Sequence, residues 1–520
     1  MNHISKVLKY STIILFISYA IWLLFWSSKI NFLHNDDWVF TRSAISFSNL
    51  DFSQTPIEIF GKSAPLFYVQ GILGGFFVKV FGVENLPTLT GIISVLSIFI
   101  LFKIINNFYL KNHLFSSLVT ALIALNPIFI YSSLGFMTEN YFILFLLISI
   151  YFFEKFKLSN SNKNFLLINV SMLLSFFVRQ FGIFISGALI VHLLFTKQYK
   201  KLLIQVFITG LMLVFYWFYY YAGNKYSYSG INSESAFNIY YYISVVFAFF
   251  IYLGTFIYPL IVNNFITEKL LSIKNIFLLV ASAIFIYILY TIFFSPDLLF
   301  WGEFPYLGNT LYREGFYNGD IYGFKYHFKG FYDIYNFLKL IGFTMLPILL
   351  FVSIKNYKKI FSFYGSFIVA YILIMPFMAK VFDRYGLVFF IISILLLLNF
   401  VNRIKLILIT IFGFFILINV YLNHLYISDF IVSRNLIWEE ANKIVQEEKL
   451  ENNQIHATGT WSKNNMGYDI FTNKVKYLFT YDSPSELDEN ICCKSLVREY
   501  NIEFPLNFFV NPKIYLYKYN

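Results

Sequence analysis

His34-Asn35-Asp36-Asp37-Trp38 puts two adjacent carboxylates just after the first apolar run, Leu8 to Trp26. Acids beside a bilayer are costly when they face lipid and are kept where they face water or line a polar cavity. Glu139 has a similar place, at the mouth of another apolar run. Lys62, Arg179, Lys380 and Arg384 fall at outer ends of apolar runs or in outer segments, where positive charge does not help to orient a membrane chain.

Outer acids with outer cations suit transfer of a sugar from a lipid-linked phosphate. A carboxylate takes the proton from an acceptor hydroxyl. The phosphate leaves as an anion, so it needs cations more than a general acid. Asp36 or Asp37 fits the base. Arg384, Lys62 or Arg179 fits the phosphate grip, with arginine favoured for two-pronged binding. Bland alternatives stand beside each: Asp36 and Asp37 end a helix in a solvated loop, Arg384 pairs with Asp383, the lysines snorkel to headgroups, and Glu139 rests on a helix N-terminus. No cofactor is required by this chemistry. A divalent metal beside His34, Asp36 and Asp37 is the open alternative. The sequence has no Walker loop, nucleophile elbow or HExxH zinc motif.

These residues need a membrane bundle to hold them. The 520 residues are 58% hydrophobic and only 13% charged, where soluble proteins carry roughly 25%. The net charge of +11 is not a nucleic-acid face, because the lysines cluster in short loops between apolar runs. Those runs give about thirteen spans, with the N-terminus cytoplasmic and the C-terminus extracytoplasmic. Arg179-Gln180-Phe181-Gly182 is read as a break between two spans, since a charge is unfavourable mid-span. Residues 27–85 form a long first outer loop, whose glycine-rich part lies at the interface. The polar tail 423–520 is large enough for a small α/β domain, with a helix over Asn435 to Lys449 and a strand over Gln454 to Thr458. The expected fold is an all-α polytopic membrane bundle, residues 1–422, carrying that extracytoplasmic domain. Cys492 and Cys493 are adjacent, which disfavours a disulfide between them.

Four segments, in this order, resemble a known family: Asp36-Asp37 after the first helix; Pro65-Leu66-Phe67-Tyr68 through Val80-Phe81-Gly82-Val83; Met137-Thr138-Glu139-Asn140; and Phe382-Asp383-Arg384-Tyr385. They are similar to the marks of the GT-C polyprenyl-phosphate-sugar glycosyltransferases, nearest to the family 39 branch of protein mannosyltransferases and aminoarabinose transferases. The resemblance implies an inverting transfer at the outer face to a glycan, lipid or protein acceptor. It makes Asp36 the first choice and Asp37 the second for the catalytic acid. Together with the charge reading above, which supplies Arg179, it places Glu139, Lys62, Arg179, Arg384 and Tyr385 at the substrates. The chain departs from the pattern at Ser63-Ala64, which separate Lys62 from Pro65, and at Asn140, where proline is usual. A polytopic transporter or lipid flippase is the competing reading; transporters usually show paired repeats and midplane charges, and neither is visible here.

Overall fold

The computed structural model describes residues 2–60, 65–222, 238–267, 272–295, 307–308, 310–312, 315–316, 321–322, 331–375, 381–401, 408–466, 475–484, 494–503, 505–506 and 513–519. Lys62, Lys380 and both cysteines lie outside them.

Helix fills at least part of every predicted span. Among the described residues six helices are long and apolar enough to cross a membrane, and the pair His113–Ala124 and Pro127–Ser133, bent by 69°, makes a seventh. The other predicted spans hold shorter or more polar helices, including Asn162–Val178, Phe363–Ile374 and Gly386–Leu398. On Tyr199–Ala222 and Ile273–Phe293, large apolar side chains such as Leu203, Phe207, Phe277 and Tyr287 stand exposed. Apolar surface of that extent is stable only in lipid. The chain is a multi-pass membrane protein.

The first outer loop folds into helices Asp37–Ser48 and Tyr68–Phe81. The second turns a glycine face onto the first. A Cβ at Gly71 would meet the Phe47 ring at 2.6 Å, and one at Gly75 would meet the Phe47 backbone at 2.9 Å. Its other face leaves Phe76, Val80 and Phe81 exposed, as expected of a helix seated at an interface.

The helix Thr138–Ser159 carries a buried acid near each end, Glu139 and Glu154. Glu154 accepts the hydroxyls of Tyr364 at 2.6 Å and Tyr109 at 2.9 Å, and pairs with Lys157 at 3.0 Å. Three helical segments are thereby pinned at the end opposite Glu139.

The helix Leu408–Glu448 has 41 residues, roughly 60 Å of rise. It crosses 422–423 without a break, so the predicted domain boundary falls inside a helix. The predicted separate helix over Asn435 to Lys449 is its outer end. Beyond it lies a four-stranded sheet in the order Ile455–His456, Tyr477–Thr480, Lys513–Tyr519, Lys494–Asn501. The first pair is parallel and the others antiparallel. This is the small α/β unit that the tail was expected to form.

Candidate active site

Asn35 adopts a left-handed backbone (φ 52°), which asparagine tolerates better than most residues. The turn closes with Asp37 N–H donating to His34 C=O at 3.0 Å. The two acids on this turn then go different ways. Asp37 is buried; its Oδ2 accepts Phe136 N–H at 3.1 Å and lies 3.0 Å from His34 Nδ1. The imidazole is fully buried, edge-on to Tyr131 and Phe430. Its contact with Asp37 has ion-pair distance, but neither ring nitrogen has the alignment of a hydrogen bond. Asp36 keeps 27% of its side chain exposed and accepts Arg384 Nη2–H at 3.0 Å.

Arg384 sits on the turn Asp383–Tyr385, just before the helix Gly386–Leu398. It does not pair with the neighbouring Asp383 side chain as the bland alternative supposed. Asp383 Oδ1 accepts the Arg384 backbone N–H, and Oδ2 accepts Leu311 N–H, both at 2.7 Å. Burial pushes the Asp383 carboxyl up to about 7, against the pull of those donors and the Arg384 charge. The guanidinium is thus free to face the acids of other segments. Its Nε lies 3.1 Å from Glu139 Oε1.

Glu139 is in the first turn of its helix and is buried. The same Oε1 accepts Arg179 Nη1–H at 2.6 Å. Arg179 stands where the chain leaves helix Asn162–Val178 in an extended conformation before the short turn Gln180–Gly182. The predicted break is therefore real and has a use: it turns the charge inward. Gly182 allows the sharp return, since a Cβ there would meet Phe176 N at 2.5 Å. Both guanidiniums lie over the Tyr385 ring, Arg179 at 5.0 Å and Arg384 at 5.9 Å. Tyr371 fixes that turn by donating its hydroxyl to Tyr385 C=O at 2.6 Å.

The result is a chain of alternating charge, Arg179–Glu139–Arg384–Asp36, with its open end at Asp36. It joins four of the predicted site residues, and Tyr385 packs beneath them. Asp37 is next to this chain in sequence but faces away from it. Among the described residues no three His, Cys, Asp or Glu side chains converge on a point that would hold a metal ion.

Sequence reasoning missed the frame behind the turn. Asn31 N–H donates to Asn435 Oδ1 at 3.2 Å, and Asn31 Nδ2 to Glu439 at 2.7 Å. Arg42 donates to Asn464 C=O at 2.5 Å. Gln70 Nε2 donates to Phe136 C=O at 3.1 Å. Leu311 N–H is held by Asp383, and Tyr322 C=O accepts Tyr481 N–H at 3.1 Å beside the sheet. The site and the C-terminal α/β unit therefore share one end of the bundle. No spacing in the sequence pointed to these contacts, whose partners lie 66 to 422 residues apart.

No protein-family model matches the chain, and no curated protein does. Two solved structures of ArnT from Cupriavidus metallidurans are similar to it. The one bound to undecaprenyl phosphate has 10% identity and a TM-score of 0.42, with 97% of each chain covered. The apo structure has 12% identity and the same TM-score of 0.42, with 98% of each chain covered. With likeness this distant, the functional reading rests on the side chains described above.

Proposed function

We propose that this protein is an integral-membrane glycosyltransferase that moves a sugar from a polyprenyl-phosphate donor to an acceptor hydroxyl at the extracytoplasmic face, with inversion at the anomeric carbon. The observation that supports it is Arg384, a buried guanidinium shared between Asp36 at the open edge and Glu139 behind it. A cation held at a membrane surface beside a solvent-reachable carboxylate supplies both functions the transfer needs. Undecaprenyl phosphate, named in one of the similar structures, belongs to this class of lipid.

In this mechanism Asp36 takes the proton of the acceptor hydroxyl as its oxygen attacks the anomeric carbon. The bond from that carbon to the phosphate oxygen breaks, and its electron pair leaves on the polyprenyl phosphate. Arg384 stabilises the charge that grows on the phosphate, and its planar fork suits two oxygens at once. Arg179 adds a second positive charge from behind Glu139. Asp37 holds the turn and does not meet substrate. Lys62 remains a candidate for the same phosphate. No metal or other cofactor enters any step. The acceptor is a glycan, lipid or protein, and the N-terminus is cytoplasmic.

The test is purified protein in lipid nanodiscs with a panel of polyprenyl-phosphate pentose and hexose donors. Release of polyprenyl phosphate and appearance of the glycosylated product are read by mass spectrometry. Wild-type protein should turn over one donor, and Asp36→Asn should not. Full turnover by Asp36→Asn would remove the mechanism.

A further inference from the structure

Asp36 and the donor phosphate want the same guanidinium. We infer that the empty site is self-locked: Asp36 occupies Arg384 as a stand-in anion, and the incoming phosphate takes Arg384 over and releases Asp36 to act as base. This deepens the phosphate reading above and rests on it.

Three observations carry the exchange. Asp36 Oδ2 already fills one of the guanidinium's bonding positions, Nη2, at 3.0 Å. Among the described residues Arg384 has no other charge-assisted partner at its open edge: Nε lies at ion-pair distance from Glu139, 3.1 Å, without the alignment of a hydrogen bond, and Nη1 is buried with no hydrogen-bond partner. A buried donor left unpaired is unfavourable, and a phosphate offers oxygens to both Nη1 and Nη2 where one carboxylate oxygen now serves only Nη2. The two anions holding Arg384 are also unequal. Glu139 is shut in, pinned by Arg179 at 2.6 Å, whereas Asp36 is 27% exposed at the start of its helix and makes no capping hydrogen bond there. Asp36 is therefore the partner that can leave without unmaking the buried pair.

The lock has a chemical consequence. While it is closed, the proton acceptor is held in an ion pair and the acceptor hydroxyl meets no free base. Donor phosphate opens it, so base and leaving group are assembled together. That order guards the site against proton transfer to no purpose.

Competition for one cation makes an unusual prediction: removing an acid of the site should tighten binding of the lipid. The probe is undecaprenyl phosphate, with undecaprenol as the phosphate-free control, titrated against protein in nanodiscs. Asp36→Asn should bind undecaprenyl phosphate about tenfold tighter than wild type, the usual scale for freeing one charge-assisted contact. Arg384→Gln should bind it at least about tenfold more weakly. Undecaprenol should bind all three alike. Asp36→Ser is the second variant, because it removes the charge and keeps a good capping residue. Unchanged or weaker binding by the folded Asp36 variants overturns the lock while leaving the phosphate reading intact. Equal binding by wild type and Arg384→Gln, or none by wild type, overturns both.

Discussion

The His34 imidazole and the Asp37 carboxylate lie 3.0 Å apart, both buried, on the same turn that presents Asp36 to Arg384. This contact is what makes neighbouring acids unequal. Asp37 belongs to the packing of the turn against the segment at Gly135 and Phe136, and Asp36 belongs to the cleft.

Asp37→Ala should therefore cost stability, whereas Asp36→Ala should cost little. Removing the Asp37 side chain strands the Phe136 N–H in a buried place, which destabilises by about 1–3 kcal/mol. Thermal unfolding in detergent compares the two variants directly. A lower midpoint for Asp36→Ala than for Asp37→Ala would reverse the division of roles.

Asp36→Asn should leave the fold intact and reduce transfer by roughly a hundred- to ten-thousand-fold, the range expected when a general base is lost. The readout is single-turnover release of polyprenyl phosphate at saturating donor. Loss confined to Asp37→Asn would hand the base to Asp37.

Much of this site was legible in the sequence because charge at a membrane surface has few structural uses. Asp36, Glu139, Arg179 and Arg384 stood out once the orienting lysines were set aside, and the helix break at Arg179 followed from the cost of a charge in mid-span. What could not be read was which acid met which cation, since Asp36 and Arg384 are 348 residues apart. The polarity shift at Asn423 was misleading for a different reason. Asn423 is buried and donates to Leu125 C=O at 2.8 Å, so a polar residue is taken into the bundle and the helix runs on. Phe430 and Ile437 beyond it are buried as well, with Phe430 against His34 and the neighbouring Phe32. Period and polarity do not show whether such a face meets lipid or loop.

Gly135→Ala tests the same frame from the other side. A Cβ there would fall 1.8 Å from His34 Cε1 and 2.3 Å from Asp37 Oδ2. The imidazole is wedged between aromatic rings and cannot yield, so the turn must shift. Misplacement of about 1 Å near reacting groups costs on the order of a hundredfold in rate. Lost transfer with retained undecaprenyl phosphate binding is the expected pattern, and wild-type turnover would show that the turn has slack.

Glu139→Ala should be worse for stability than Glu139→Gln. The carboxylate separates two buried guanidiniums, at 2.6 Å from Arg179 and 3.1 Å from Arg384. Breaking a buried pair by deleting one partner costs about 3–5 kcal/mol, because the remaining charge is left uncompensated. Glutamine retains an oxygen to accept from Arg179, so part of that loss is recovered. Chemical denaturation or thermal unfolding gives the order of the three proteins. Glu139→Ala as stable as wild type would mean that Arg179 and Arg384 reach water or lipid phosphate without it, and the buried charge chain would lose its structural role.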